Sequence, residues 1–153
     1  MNSLIVVYSY HHNNTLKIAE AIGSVLGSAI KSPKETEESV LSEFDLIGFG
    51  SGIDSDKHYQ ELLDFSSNLP EVNSKKCFVF STSTLQGNDK VEKDHSLLKK
   101  ILISKGYNII GEFSCKGHNS NSFLKVFGGL NKKRPNKFDI QNAKDFAVKI
   151  KGL

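Results

Sequence analysis

The chain has 153 residues, of which 38% are hydrophobic and 24% are charged. This composition is typical of a globular domain and excludes an intrinsically disordered chain. A net charge of +3 is too small to indicate nucleic-acid binding by itself, and the sequence lacks the apolar run of about 18 residues that a membrane helix needs. We therefore expect a single domain over residues 1–153 that is cytoplasmic and has no nucleic-acid or membrane partner.

Apolar runs alternate with helical patterns along the chain. The continuous apolar run at residues 4–8 is typical of a strand buried on both faces of a parallel sheet. Residues 46–50, 77–80 and 107–113 are predicted as further strands. A short strand is also predicted at Ala29 and Ile30. Apolar residues at helical spacing predict four helices, the first ending at Gly27 and the last capped by Asp139.

This alternation predicts an α/β three-layer sandwich with a five-stranded parallel sheet in the order 2-1-3-4-5. Ligands of such sheets bind beyond the carboxyl ends of the strands, where the strand order reverses. The segments that follow Tyr8, Gly50, Phe80 and Phe113 are therefore the places to look for a site.

The first of these segments is rich in hydroxyl and amide side chains and contains no Lys, Arg, Asp or Glu. A helix N-terminus behind it offers backbone N–H groups and a partial positive charge, which suit a phosphate monoester. An asparagine in this segment can adopt the left-handed conformation of a tight loop. The alternative that Asn14 or Thr15 only caps the helix stays open. The candidate phosphate-binding residues are Tyr10, His11, His12, Asn13, Asn14 and Thr15.

The segments after the next two strands complete the candidate site. One contains Ser51, Gly52 and Ile53, where glycine lets the backbone approach a ligand and Ile53 can touch a flat ring. The other is a hydroxyl-rich run that can line the polar edge of such a ring, and it contains Thr82, Ser83, Thr84 and Leu85. No metal site is predicted. The scattered histidines His58, His95 and His118 are predicted to lie mostly on the surface.

These segments resemble the flavodoxin family, in particular its short members from anaerobic bacteria and archaea. The residues that carry the resemblance are 9–15 with 17–19, 48–53 with 57–59, 111–117, and 128–139. The resemblance implies bound flavin mononucleotide (FMN). Tyr10 to Thr15 would hold its phosphate, Ser51 to Ile53 would flank one side of the isoalloxazine ring, and Thr82 to Leu85 would flank the other.

Three departures from the family pattern stand out. Asn13 replaces the usual glycine of the phosphate loop. The chain has no tryptophan, so Tyr59 or Tyr10 would have to supply the ring-flanking aromatic group. The chain is also basic, whereas typical electron-carrying flavodoxins are acidic.

The resemblance implies an electron carrier that serves redox partner proteins, without catalytic residues of its own. An FMN-dependent oxidoreductase acting on a quinone or a porphyrinogen stays open, as does a flavin-free binding module. The chain is expected to be a monomer or a weak dimer. The segment 116–137 has no Asp or Glu. It is either a solvated basic surface or a docking face for an acidic partner, and its basic residues are Lys116, Lys125, Lys132, Lys133, Arg134 and Lys137.

Overall fold

A computed structural model of the protein describes residues 1–10, 12–117 and 133–153. Strands and helices alternate along these ranges. None of the described helices combines the length and the apolar character needed to cross a membrane. The elements are β1 (Ser3–Tyr8), α1 (Asn14–Leu26), β2 (Ala29–Lys31), β3 (Leu46–Asp54), β4 (Lys57–His58), α2 (Gln60–Ser67), β5 (Lys75–Ser83), α3 (Asn88–Ser104), β6 (Tyr107–Lys116) and α4 (Lys137–Lys151).

The sheet has the strand order β2-β1-β3-β5-β6, and all of these neighbours are parallel. The predicted α/β fold and its 2-1-3-4-5 order are therefore confirmed. One element was missed: β4 pairs antiparallel with the end of β3, with Ile53 opposite His58 and Asp54 opposite Lys57. A two-residue strand is too short to leave an alternation pattern in the sequence.

Helices cover both faces of the sheet. On one face, Phe49 and Val79 pack in a buried cluster with Leu62 of α2 and with Leu98 and Leu102 of α3. The cluster on the other face joins strand residues to α1 and α4, and it includes Ile5, Phe78, Phe80, Ile18, Ile22, Ala143 and Ala147. Successive strand residues point to opposite faces, so a strand buried on both sides reads as a continuous apolar run.

Three predicted strands extend beyond their predicted carboxyl ends, and one of them is β6, which ends at Lys116. The strands β3 and β5 extend further than expected, so Ser51 to Ile53 and Thr82 to Ser83 belong to strand ends rather than loops. Their pairing explains this, because Gly52 lies opposite Thr82 and continues the ladder.

The prediction that Asp139 caps the last helix is wrong. Asn136 is the N-cap, and its side chain accepts hydrogen bonds of 3.0 Å from the backbone N–H groups of Phe138 and Asp139. Asp139 occupies the third helical position and accepts from the N–H of Asn136 at 2.8 Å, which completes a reciprocal capping box. Gly27 does end α1, in the left-handed conformation with φ 71°.

Gly106 joins α3 to β6 and provides a test of the packing. Its φ is +90°, and a Cβ at this position would lie 1.8 Å from the carbonyl oxygen of Val72. We expect Gly106→Ala to lower the free energy of unfolding by roughly 2–4 kcal/mol, because steric overlap adds to backbone strain.

Gly27→Ala is the matched control for this substitution. Gly27 also has positive φ, but no described atom outside its own neighbourhood lies within 4 Å of its Cβ position. Only the strain of about 1–2 kcal/mol is then expected. Urea unfolding measures both variants, and a Gly106→Ala protein as stable as Gly27→Ala would contradict the packing argument.

Candidate functional site

The carboxyl ends of β1, β3 and β5 lie side by side at one edge of the sheet. Tyr8 is opposite Ser51, and Ser51 is opposite Ser81. The strand order reverses between β1 and β3, because the chain runs outward to β2 on one side and to β5 on the other. This edge is therefore the topological position where ligands of such sheets bind.

The first segment forms a tight turn into α1. Asn13 is the N-cap with φ 53° and ψ 29°, which confirms the predicted left-handed conformation. The alternative that Asn14 or Thr15 caps the helix is wrong, since both lie buried inside its first turn. That turn carries no acidic side chain. His12 also has positive φ and is exposed, whereas His11 lies outside the described residues.

A buried hydrogen bond joins the first segment to the end of β5. The hydroxyl oxygens of Thr15 and Thr82 are 2.8 Å apart, and the two side chains are 2% and 4% exposed. The turn is held from its other side as well, because the N–H of Leu16 donates to the hydroxyl of Ser9 at 3.3 Å. The structure thus brings together two of the three predicted groups of site residues.

The end of β3 is fixed by its own hydroxyl group. Ser51 is buried; its hydroxyl donates to the carbonyl of Gly52 at 2.7 Å and accepts from the N–H of Tyr59 at 3.1 Å. The Tyr59 ring lies against Gly52, where a Cβ would be 2.5 Å from Cε2 of that ring. Gly52 and Ile53 are half-buried. The glycine therefore provides the space that lets an aromatic ring cover this strand end.

Three tyrosines form an aromatic group at this edge. The Tyr59 ring makes edge-on contacts with Tyr8 at a centroid distance of 5.6 Å and with Tyr10 at 6.4 Å. Tyr10 is 66% exposed. Both tyrosines that the sequence offered as substitutes for a ring-flanking tryptophan are thus at the predicted edge.

The segment after β5 turns back on itself. The hydroxyl of Ser83 donates to the carbonyl of Leu85 at 2.7 Å, and Leu85 itself is 62% exposed. Thr84 between them is half-buried. Sequence reasoning missed Gln86, whose amide group donates to Ser83 Oγ at 2.6 Å and to the Cys115 carbonyl at 3.1 Å. This amide joins the segment to β6. The sequence signal that could have identified Gln86 is its position just before the start of α3.

Two histidines beneath this edge contradict the prediction that they lie on the surface. His58 and His95 are both 0% exposed, and their ring centroids are 5.1 Å apart. Burial lowers the pKa of His58 to about 3 and also lowers the pKa of His95, although the carboxylate of Glu112 opposes the second shift. His118 lies outside the described residues.

The chemistry of this edge is that of a binding site for an anion and a flat ring. In the described ranges no group of three or more His, Cys, Asp and Glu side chains is placed to hold a metal ion. The donors are hydroxyl and amide groups beside a helix N-terminus, and the apolar contacts come from Tyr10, Tyr59 and Leu85. The fold is that of a doubly wound α/β protein, and this edge is the candidate ligand site at its switch point.

A family model described as a flavodoxin domain matches residues 5–149. The chain belongs to the flavodoxin family, as its sequence resemblance indicates. It is similar to an uncharacterized protein of Methanocaldococcus jannaschii, with 41% identity over 150 residues and 98% of each chain covered.

Solved flavodoxin structures share the fold. Oxidised Flavodoxin 2 from Bacillus cereus has a TM-score of 0.76 and 17% identity, with 99% of each chain covered. Fusobacterium nucleatum flavodoxin bound to flavin mononucleotide has a TM-score of 0.68 and 12% identity, covering 99% of this chain and 98% of that one. At these identities the likeness establishes the fold.

The Thr15–Thr82 contact predicts an energetic coupling. Thr15→Val or Thr82→Val alone leaves one buried hydroxyl without its partner and is expected to lower the free energy of unfolding by about 1–3 kcal/mol. The double variant is expected to lose less than the sum of the two, with a coupling of roughly 1 kcal/mol. Urea unfolding of all four proteins measures this cycle; strictly additive losses would show that the two hydroxyls do not interact.

Proposed function

We propose that the protein binds FMN at the carboxyl edge of β1, β3 and β5 and acts as an electron carrier. The observation that carries the proposal is the left-handed turn at Asn13, which begins α1 and is joined to β5 by the Thr15–Thr82 hydrogen bond. This arrangement places a helix N-terminus beside the polar end of β5. The family membership and the FMN-bound relative support the same ligand.

The phosphate end suits the first segment. The partial positive charge of the α1 N-terminus favours an anion, and no carboxylate in the first turn opposes it. The hydroxyl of Thr15 is 2% exposed and contacts Thr82, so its role is to fix the turn. The exposed residues Tyr10, His12 and Asn13 would then supply the direct contacts to phosphate.

The ring end suits the strand ends of β3 and β5. Ser51 holds the carbonyl of Gly52 in a fixed direction, which orients backbone groups for a heteroaromatic edge. Tyr59, Tyr10 and Leu85 provide the apolar surface, and two of these side chains are more than 60% exposed. An exposed apolar group at a site edge is expected where a ligand covers it.

Electron transfer is the simplest chemistry for this site. Bound FMN supplies the transfer of one or two electrons, and the protein supplies binding, orientation and electrostatics. Hydroxyl, amide and aromatic groups perform those three tasks. The buried rings of His58 and His95 lie beneath the edge and are 0% exposed, so we assign them no proton transfer to a substrate.

An FMN titration of the purified protein tests the proposal. Absorption bands near about 375 and 450 nm in the purified protein, or saturable quenching of added FMN fluorescence, are the expected results. Fluorescence that stays unchanged over the titration would contradict it and favour the flavin-free binding module.

Substitutions at Asn13 make the titration specific. Asn13→Gly keeps the left-handed turn and is expected to keep the wild-type affinity for FMN. Asn13→Val places a β-branched residue at φ 53°, and the strain of about 1–2 kcal/mol predicts affinity roughly tenfold weaker. Equal affinities of the Gly and Val variants would show that this turn does not hold the phosphate.

The basic segment 116–137 is our proposed docking face for an acidic redox partner. Of its described side chains, Lys133 and Lys137 are exposed, whereas Arg134 forms a double hydrogen bond of 2.5 Å with Asp139. Arg134 is thus already engaged within the domain. Residues 118–132, which include Lys125 and Lys132, lie outside the described residues.

The basic character also predicts a less negative potential for the final reduction step than in acidic flavodoxins. Positive surroundings stabilise the negative charge that a flavin gains on full reduction. Potentiometric titration should show this, and a very low second potential would contradict it.

Lys57→Glu, beside the candidate site on β4, should lower the potential at low salt. Lys149→Glu is the remote control. Lys149 lies in the last turn of α4, and Leu153, just beyond that helix, accepts a hydrogen bond from Lys76 at the start of β5.

A further inference from the structure

The end of β3 is paired with β4 in a short β-hairpin. Beyond Ile53 the chain turns through Ser55 and Asp56, both with left-handed φ, and returns as β4. On the outside, Asp56 pairs with Lys90 at 3.2 Å and Lys93 at 3.0 Å. Exposed ion pairs of this kind contribute about 0–1 kcal/mol each. The contacts beneath the hairpin therefore decide how firmly it is held.

His58 is the buried anchor of β4. Its ring Nε2–H donates to the carbonyl of Phe80 at 3.2 Å, which connects the hairpin to the centre of β5. Its Nδ1 is buried and has no hydrogen-bond partner among the described residues. The pocket thus accommodates a neutral ring with one proton. The other face of the pocket is formed by His95, at a centroid distance of 5.1 Å and an angle of 35° between the rings.

His95 connects this pocket to two further strands. Its Nδ1 lies 3.0 Å from the carboxylate of Glu112 on β6, which can only accept, so Nδ1 carries the proton. Its Nε2 lies 2.7 Å from Ser81 Oγ on β5, and the same hydroxyl lies 3.0 Å from Ser114 Oγ on β6. In a neutral ring Nε2 accepts the Ser81 proton in competition with Ser114. One ring of α3 therefore bridges β5 and β6 while it packs against β4.

The charged groups around the pair lie on α3 and β6. Glu112 lies on β6 and is itself paired with Lys99 of α3 at 3.2 Å. Asp94 precedes His95 on α3, is buried, and pairs with Lys90. The acidic neighbours favour a charge on His95, but desolvation outweighs them and keeps its pKa below the ordinary value. For His58, burial and the neighbouring His95 both lower the pKa, and they outweigh the opposing effect of the backbone groups of Phe80 and Asp94.

We propose that His58 and His95 are positioning residues that hold the Gly52–Ile53 end of β3 in place, and that they do so only as an uncharged pair. The proposal rests on the proposed function in one respect: this strand end is where the flavin ring would lie. The hydrogen-bonded arrangement itself exists in the flavin-free protein and is testable there.

The direction of the pH effect follows from proton linkage. Opening the hairpin exposes both rings to water, where a histidine has a pKa near 6.5. The open form therefore binds protons that the closed form excludes, so opening becomes more favourable as the pH falls below about 6.5. Each such proton raises the opening constant by up to about tenfold per pH unit. With both rings involved, the slope exceeds one proton per opening.

Amide hydrogen exchange of the flavin-free protein measures the opening. After correction for intrinsic exchange rates, amides of residues 52–59 should lose protection steeply between about pH 6.5 and pH 5. Amides of β1 should not follow this profile. A pH-independent profile over residues 52–59 would overturn the proposal.

Variants separate positioning from general stability. His95→Phe keeps the ring volume but cannot titrate, and the slope should fall to one proton or less. Lys93→Ala is the matched control, since it removes a tie to the same hairpin without a titrating histidine; opening should increase slightly at every pH, with the wild-type slope. A His95→Phe protein that retains the wild-type slope would also overturn the proposal.

Glu112→Gln keeps the test available if His95→Phe does not fold. Its side chain is 31% exposed, and removing its charge takes away the group that raises the pKa of His95. Protonation of the closed form then becomes harder, and the loss of protection between about pH 7.5 and pH 5 should grow. A smaller loss than in the wild type would count against the uncharged pair.

FMN affinity measured over the same pH range distinguishes the two proposals. The expected result is weaker binding at low pH in parallel with the exchange of residues 52–59. Steep exchange without FMN binding at any pH would keep the histidine pair and reject the flavin site. FMN binding with exchange that does not depend on pH would do the reverse.

Discussion

The packing of two phenylalanine rings against bare backbone is the constraint on which the rest of the fold depends. A Cβ at Gly48 would lie 2.3 Å from the Phe78 ring, and one at Gly50 would lie 2.2 Å from the Phe80 ring. Side chains on β3 would therefore push these rings off the sheet. The Phe78 and Phe80 rings occupy the space that side chains at these two glycines would fill, on the face that α1 and α4 cover. Phe146 of α4 reaches Phe78 on this face at a centroid distance of 5.8 Å. The position of the α1 N-terminus follows from that packing.

At the carboxyl end of β5, polar side chains follow the apolar core residues and contact helices on both faces of the sheet. Phe80 belongs to the core, and the next two residues point to opposite faces as strand geometry requires. Ser81 reaches His95 on the α3 side, and Thr82 reaches Thr15 on the α1 side. A hydroxyl-rich run on a central strand thus holds both helical layers together at one edge. The hydroxyls are structural where they are buried, so the proposed ligand-binding surface would be made by the residues around them.

The sequence predicted the parts of this fold that a residue's own neighbours determine. Buried parallel strands appear as apolar runs, and Gly27 ends its helix because a left-handed residue is needed there. The wrong predictions concern residues whose environment is determined by elements that are distant in the chain. Asp139 was assigned the cap although the Asn136–Asp139 spacing of three is the signature of a capping box. His95 shares a helix face with Leu98 and Leu102, at spacings of three and seven, but burial of a polar ring depends on partners from β5 and β6 that no local pattern shows.

The chain has no tryptophan, and the aromatic surface at the carboxyl edge of the sheet is built from tyrosines. The aromatic surface is distributed over Tyr8 at the end of β1, Tyr10 in the first segment and Tyr59 at the start of α2. Tyr59 is the common member, and it follows directly after His58 in the chain. The ring that covers Gly52 and the strand end that it covers are therefore both positioned by β4. A two-residue strand without a sequence signature thus fixes the aromatic side of the candidate site, and it can do so because a buried histidine fastens it to β5.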